Sequence, residues 1–410
     1  MDTTIPTLLL DCLHEDPQRV TADRLAALDP AAWDGLLALA SDKQVIEFFY
    51  ARLSGRGWAS LLPLQVVQRL EQVSLRNAAH NLALSAELKR MAALFHAQKI
   101  PIVVLKGTYL AAVVYGNLAL RKMVDMDLLV PVEKLGQAAA LLEAQGYQPR
   151  TTYTVETGMQ ISQHLPRFVK PAVASIELHW NIVAPDRGCA INPNELWTRA
   201  ESVTLAGVPL LGLGKEDLLL HLLLHVSYGH RFEMGLRPAC DVAAIIRHFG
   251  EALDWSLVMA RARNWQAQRG VYLALRLAQE MVGAAVPEVV LAGLRPADLD
   301  EAIVAAARSQ TFSDWRMGRT ISPNLANQWY GGLADKIGGL WRTVFLPKPV
   351  ISAQYGVSVH SPRIYLYYPV RLKDVLVRHW RTAWQLYRGD NSLTPLARHK
   401  AMLLRWLAEE

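Results

Sequence analysis

The run Val124-Asp125-Met126-Asp127-Leu128-Leu129-Val130 limits what this chain can fold into more than any other stretch. Its alternation has the period of a β-strand. Asp125 and Asp127 then point to one face, and Val124, Met126, Leu128 and Val130 point to a core on the other. Two ionised carboxylates side by side repel, so the pair is comfortable only with a cation between them. On that reasoning, removing one carboxylate should stabilise the metal-free protein or leave it unchanged. Oxygen-only ligands at this spacing favour a hard ion, Mg²⁺ or Mn²⁺. Taken alone, Asp-x-Asp also fits two solvated aspartates on an edge strand. The preceding residues weigh against that. Residues 102–105 form a short apolar run that reads as a buried strand, and Lys106-Gly107 breaks it. Gly107 suits a sharp exit from the strand, and Thr108 is placed to cap a helix to about Tyr115. A loop with Asn117, Arg121 and Lys122 leads into the Asp-x-Asp strand.

A third acid follows. Residues 163–169 and 174–182 read as paired strands around a turn at Lys170-Pro171. On the second, Ala174, Ile176, Leu178 and Trp180 share one face, and Ser175, Glu177, His179 and Asn181 share the other. Glu177 could bind metal or act as general base on an acceptor hydroxyl. The plainer alternative is a solvated outer face. His179 is a candidate to orient Glu177 or touch substrate, and equally a structural histidine.

Gly107-Thr108, a helix and then Asp125-Met126-Asp127 resemble the core of the DNA polymerase β-like nucleotidyltransferase superfamily. Leu105-Lys106-Gly107, Arg121 and residues 125–130 look more closely like the uncharacterised bacterial nucleotidyltransferase family proteins. Gly146-Tyr147 and Ile176-Glu177-Leu178-His179-Trp180 extend the match. The resemblance covers residues 98–182, with weaker echoes to residue 290. Thr108 stands where the superfamily usually has Ser, and the gap from Gly107 to Asp125 is longer than in compact members.

The resemblance implies an α+β fold: a polymerase β-like core with a small mixed sheet, flanked by N-terminal and C-terminal helical domains. It implies Mg²⁺-dependent transfer of a nucleoside monophosphate from an NTP, expected to be ATP, to an unidentified acceptor hydroxyl or phosphate. Asp125 and Asp127 would hold two ions, and Glu177 would complete the second site. Lys106, Gly107, Thr108 and Arg121 would bind the nucleotide, Lys106 as a point charge and Arg121 as a fork. A catalytically inactive nucleotide-binding or scaffold protein with the same core is the competing reading.

The rest of the chain reads as helical regions around that core. Residues 1–98 form a first helical region, 99–213 the core, 214–308 a helical domain, and 309–410 an irregular and then helical basic region. In the first, Asp42 is placed to cap a helix with Val45, Phe48, Phe49 and Leu53. A longer helix follows Pro63, with Leu84, Leu88, Met91 and Phe95 at helical spacing. His80 and His96 are single residues read as structural or exposed, and no catalytic grouping stands out in this region. Residues 134–145 form an amphipathic helix closed by Gly146, and the polar stretch 150–160 reads as a hairpin or lid. In the helical domain His221 and His225 share a face, but Leu222 stands where a zinc protease needs Glu. A polar cluster of Tyr228, His230, Arg231, Arg237 and Asp241 follows. His225, Arg237 and Asp241 are substrate candidates on a far wall of the cleft, with helix-packing hydrogen bonds as the alternative.

The formal charge of +6 comes from residues 341–410, where Lys and Arg outnumber Asp374, Asp390, Glu409 and Glu410. A helix over residues 370–388 carries Leu376, Trp380, Ala383, Trp384 and Tyr387 on one side and Arg371, Arg378, Arg381 and Arg388 off it. Its apolar side is expected to pack on the body with Trp380 and Trp384 buried. A membrane-surface or nucleic-acid contact is the sharper alternative. Cys12, Cys189 and Cys240 form no paired motif, which suits a reducing cytoplasm. Neither a signal peptide nor a membrane span is expected.

Overall fold

The computed structural model describes residues 4–151, 154–171, 175–313, 343–388 and 393–409, with Gly338 and Trp341. Its centre is a seven-stranded mixed sheet. The strands are β1 (Val103–Val104), β2 (Asp125–Leu129), β3 (Gln148–Pro149), β4 (Phe168–Val169), β5 (Ser175–His179), β6 (Glu201–Leu205) and β7 (Val208–Gly212), in the order β3-β4-β5-β2-β1-β7-β6. β2 has antiparallel β1 on one side and parallel β5 on the other. The register pairs Asp127 with Glu177 and Leu129 with His179. Because side chains alternate along each strand, this register puts the two acids side by side on one face. Met126, Leu128, Ile176 and Leu178 fill the core beneath and are fully buried. A one-residue slip would exchange those faces, so burial of these four side chains fixes where the acids stand. Val124 departs from the sequence reading: it precedes the strand and is 50% exposed.

Before the sheet come α1 (Ile5–Leu13), α2 (Ala22–Ala26), α3 (Pro30–Asp42), α4 (Ile46–Gly55) and α5 (Leu64–Ala97). Asp42 does not cap α4. It is the last residue of α3, and α4 starts after Val45 without a side-chain cap. α5 follows Pro63 and buries Leu84, Leu88, Met91 and Phe95 as its spacing predicts. Next are α6 (Lys106–Tyr109), prolonged by a π-turn over Leu110–Val114, and α7 (Leu135–Ala144). The stretch read as a hairpin or lid contains a helix, α8 (Val155–Ile161), whose first turn donates from the Thr157 amide to Thr154 Oγ1.

After α9 (Pro193–Thr198) and the β6–β7 hairpin, α10 (Lys215–Leu224) runs into a π-turn at His225–Gly229. α11 (Arg237–Phe249), α12 (Trp255–Asn264), α13 (Gln268–Val282), α14 (Glu288–Leu294) and α15 (Glu301–Phe312) follow. The described part of 309–370 is largely helical rather than irregular: the end of α15, α16 (Lys348–Tyr355) and a 3₁₀ turn at Pro362–Leu366. α17 (Tyr367–Tyr387) and α18 (Leu393–Ala408) close the chain. Here the expectation for the tryptophans fails. Trp380 is 56% exposed, Trp384 47% and Leu376 56%. The tail is anchored by α18 instead. Leu396, Leu403 and Trp406 are buried, and Gln310 and Arg269 donate to the Leu396 and Trp406 carbonyls at 3.0 and 2.6 Å. Arg342, Asp390 and the side chains of Arg378, Arg381, Ala383 and Tyr387 lie outside the described residues. Among the described residues no helix is long and apolar enough to cross a membrane.

Candidate active site

The turn after β1 has a different construction from the one its sequence suggests. Leu105 caps α6, so Lys106, Gly107 and Thr108 all belong to the first turn. The residue in the left-handed region is Lys106, with φ 44°, and not Gly107. Gly107 matters for another reason: a Cβ there would lie 2.6 Å from Arg121 Nη1, which would have to shift. Thr108 is no cap, and its buried hydroxyl has no hydrogen-bond partner among the described residues. The Lys106 head turns inward. Its Nζ donates to Asp127 Oδ1 at 2.8 Å, where the sequence resemblance implies a point charge for the nucleotide.

The three acids meet protein cations. Asp127 Oδ1 also faces His179 Nε2 at 2.9 Å. Arg167 bridges the other two acids: its Nη2 lies 2.7 Å from Asp125 Oδ2 and 2.7 Å from Glu177 Oε1, and its Nε donates to the same Oε1 at 2.9 Å. Glu177 Oε2 faces His179 at 3.6 Å and His164 at 3.7 Å. Electrostatically the three differ. Burial, then the charges of Asp127 and Glu177, push Asp125 up to about 6. Burial also works against ionised Asp127, but Lys106 and His179 outweigh it and hold this carboxyl well below the usual range. At Glu177 burial is again outweighed, first by His179, and the carboxyl falls to about 2. Burial lowers His179, yet its bonds to Asp127 and Glu177 leave it raised.

Arg121 comes from a loop that α5 clamps. Asn81 Nδ2 donates to the Leu118 and Arg121 carbonyls at 2.6 and 2.7 Å, and Asn77 Nδ2 donates to Ala119 at 2.8 Å. His80 meets the Met123 carbonyl at 3.1 Å. The sequence reading found nothing functional on α5. Three polar residues at helical spacing on one side of an otherwise apolar stripe were the available signal. The Arg121 fork points at Asp241, with Nε and Nη2 each 2.9 Å from a carboxylate oxygen, and Tyr115 adds its hydroxyl to Oδ1 at 3.0 Å. Arg121 and Asp241, predicted to serve nucleotide and substrate separately, form one buried pair that ties the β2 loop to α11.

These groups line a cleft of about 530 Å³. Its floor holds Lys106, Gly107, Asp125, Asp127 and Glu177; its helical wall holds His225, His230, Arg237 and Asp241. Thr108 and His179 stand behind the surface and do not line it. Burial holds His225 well below its ordinary range and takes His230 down to about 4. His221 lies deeper, with both ring nitrogens lacking a partner among the described residues. His164, Arg167 and Arg187 also line the cleft and carry no role in the sequence reading, whereas His230 belongs to the polar cluster expected near the far wall. Basic residues in the strand read as pairing with the Glu177 strand were the signal for His164 and Arg167.

The donor set suits a divalent cation. Asp127, Glu177 and His179 each bring one ligand atom, all within 4.8 Å of one another. His179 Nδ1 faces the Asn181 carbonyl at 3.3 Å. With a proton kept there, Nε2 can serve as a ligand once it gives up its own proton and its bond to Asp127, the usual arrangement behind a metal-binding histidine. The presence of a nitrogen departs from the oxygen-only set expected from the sequence.

A family described as "Uncharacterised nucleotidyltransferase" matches residues 29–283, more than half of the chain. No curated protein matches. Among solved structures, the solution structure of the antibiotic-resistance factor ANT(2'')-Ia is similar at 16% identity, covering 48% of this chain and 96% of that one, with a TM-score of 0.31.

Proposed function

Since the chain belongs to the uncharacterised nucleotidyltransferase family, we propose that the cleft transfers a nucleoside monophosphate from an NTP, by preference ATP, to an acceptor hydroxyl or phosphate. The observation that carries this is the β2–β5 register, which pairs Asp127 with Glu177 on the floor of the cleft and sets Asp125 two residues away on the same face. We read the strand–turn–helix–strand unit as a polymerase β-like core, the helices before and after it as its flanking domains, and the cell's cytoplasm as its place of work.

In the proposed reaction the acceptor oxygen bonds to the α-phosphorus, the α–β phosphoanhydride bond breaks, and pyrophosphate leaves with the electron pair. Asp127, Glu177 and His179 would hold Mg²⁺ or Mn²⁺, which when bound supplies charge stabilisation to the phosphoryl oxygens. Asp125, raised to about 6, is the better general base for the acceptor proton. Glu177, at about 2, is too acidic to hold one near neutral pH. Arg237 and His230 face the floor from the wall and would meet anionic parts of the substrates. Gly107 keeps the floor open beside Arg121, and Lys106 offsets the charge of Asp127.

Incubating the full chain with each α-labelled NTP, Mg²⁺ or Mn²⁺, and a cell extract tests this. A labelled product that Asp127→Asn fails to make supports transfer. The three acids are already paired with protein cations, which favours one rival: a scaffold that binds nucleotide without turnover. Metal-dependent NTP binding with no product from any acceptor would establish that rival. The exposed apolar side of α17, beside Arg371 and Arg388, has the pattern of a membrane-surface helix. Co-sedimentation with anionic lipid vesicles, lost in Trp380→Ala/Trp384→Ala, would support that contact, and salt-sensitive retention on nucleic acid would favour the other partner class.

A further inference from the structure

Arg167 has a fixed base and a long reach. The strand that follows it, β4, is held to β5 by the Phe168–Ile176 pairing, and Phe168 is buried. The Arg167 carbonyl accepts from the Arg150 amide at 3.0 Å, and the neighbouring Leu165 amide donates to Leu178 at 2.9 Å. From there the guanidinium lies between Asp125 and Glu177, with the same Nη2 2.7 Å from each carboxylate. A guanidinium is charged at every working pH and cannot leave by losing a proton. Its bonds to carboxylates are charge-assisted and short.

Glu177 is thereby divided. Oε1 goes to Arg167, while Oε2 faces His179. The groups whose ligand atoms gather within 4.8 Å are Asp127, Glu177 and His179, and Asp125 is not among them. We infer that Arg167 is a built-in second cation: the cleft takes one divalent ion, at Asp127, Glu177 and His179, and the guanidinium holds Asp125 and the remaining oxygen of Glu177 in place of a second ion. This rests on the metal-dependent reading of the site, and it replaces the two-ion arrangement that the sequence resemblance implied. Its consequence is that Asp125 stays off the metal. One positive charge at the site is covalently part of the chain and survives chelation.

Counting bound Mn²⁺ by electron paramagnetic resonance tests this without any acceptor. The full chain is titrated with Mn²⁺ at saturating α,β-methylene-ATP. One Mn²⁺ per wild-type complex, rising to two in Arg167→Met, supports the inference. Asp125→Asn should leave the count at one, whereas Asp127→Asn should abolish it. Two Mn²⁺ in the wild type would overturn the inference, and that measurement stands by itself if Arg167→Met does not fold. One in both proteins would overturn it as well, since Arg167 would then exclude nothing. No bound Mn²⁺ in either protein would overturn it together with the metal reading beneath it, an outcome distinct from the other two.

Discussion

On the floor of the cleft, Asp125, Asp127 and Glu177 each touch a protein cation, supplied by Lys106, Arg167 or His179. On the facing wall, desolvation pushes His221, His225 and His230 towards neutrality, although only His221 is fully buried, His225 being half-buried and His230 exposed; both ring nitrogens of His221 lack a partner among the described residues. Arg237 on that wall has its charge disfavoured first by burial and then by Arg121. The floor is therefore electrostatically complete without a ligand, and the wall is not. The β2–β5 register sets Asp127, Glu177 and His179 within reach of one another, and the turn after β1 and the segment before β4 bring in Lys106 and Arg167. On the helical wall desolvation keeps the histidines neutral, and an anion arriving in the cleft would favour their charged form.

Asp127→Asn tests the floor most severely. Transfer should fall by roughly 10³-fold or more, as when one member of a concerted set is removed, measured as labelled product per minute at saturating NTP. The metal-free variant should also melt below the wild type, because Lys106 and His179 lose the anion that compensates them. This reverses the sign expected from the sequence, where crowded carboxylates were read without cations of their own. A metal-free variant more stable than wild type would restore the bare-carboxylate picture and remove the distinction between floor and wall.

The seam between the two regions comes next. Asp241→Ala would strand buried Arg121, whose fork and partner are 7% and 3% exposed at the side chain. Breaking such a pair from one side costs about 3–5 kcal/mol, readable from chemical denaturation. If Arg121 instead serves phosphate directly, the loss would appear chiefly in nucleotide affinity, with stability little changed. Gly107→Ala is milder. The added methyl must displace Arg121 Nη1 from 2.6 Å, at about 1–3 kcal/mol for overpacking. Arg121→Lys should relieve part of that cost in the double variant, which would show that the glycine answers to a neighbour and not to its own backbone.

The chain displays its floor more plainly than its wall, for a physical reason. Strand alternation exposes a polar face directly, so Asp125, Asp127, Glu177 and His179 could be read on one side of their strands before any contact was known. What they touch could not be read. A residue at a strand end can point either way, so the sequence does not show that Lys106 meets Asp127, and a fork does not announce which carboxylate it meets, so it does not show that Arg121 meets Asp241. Asp241 lies far from Arg121 in sequence, and only packing of α11 against the loop brings them together. Trp380 and Trp384 mislead in the other direction. Helical spacing of aromatics shows that a side exists, but not that anything covers it. His80 reads as structural or exposed and is both, but Asn77 and Asn81 escape a sequence reading because their work is to bind backbone carbonyls of a loop, which leaves no pattern in the loop itself.

The smallest effect separates floor and wall by the sign of their pH dependence. His221 is fully buried and held well below its ordinary value, first by desolvation and then by the charges of Lys106 and His179. A histidine depressed in the folded state contributes stability above its unfolded pKa of about 6.5, and loses it as pH falls, because the unfolded chain then binds more protons. His179 on the floor runs the other way. Its folded value is raised, so its contribution is present below about 6.5 and is lost as pH climbs through the folded value. His221→Leu should therefore recover about 1 kcal/mol relative to wild type between pH 6.5 and 5.5. His179→Gln should forfeit stability most at the acid end, where the native partner of Asp127 carries its charge. Urea denaturation of the metal-free proteins at several pH values would show both slopes. If the two variants shift in the same direction over that interval, the wall's histidines are not held neutral, and the contrast between a compensated floor and an uncompensated wall fails.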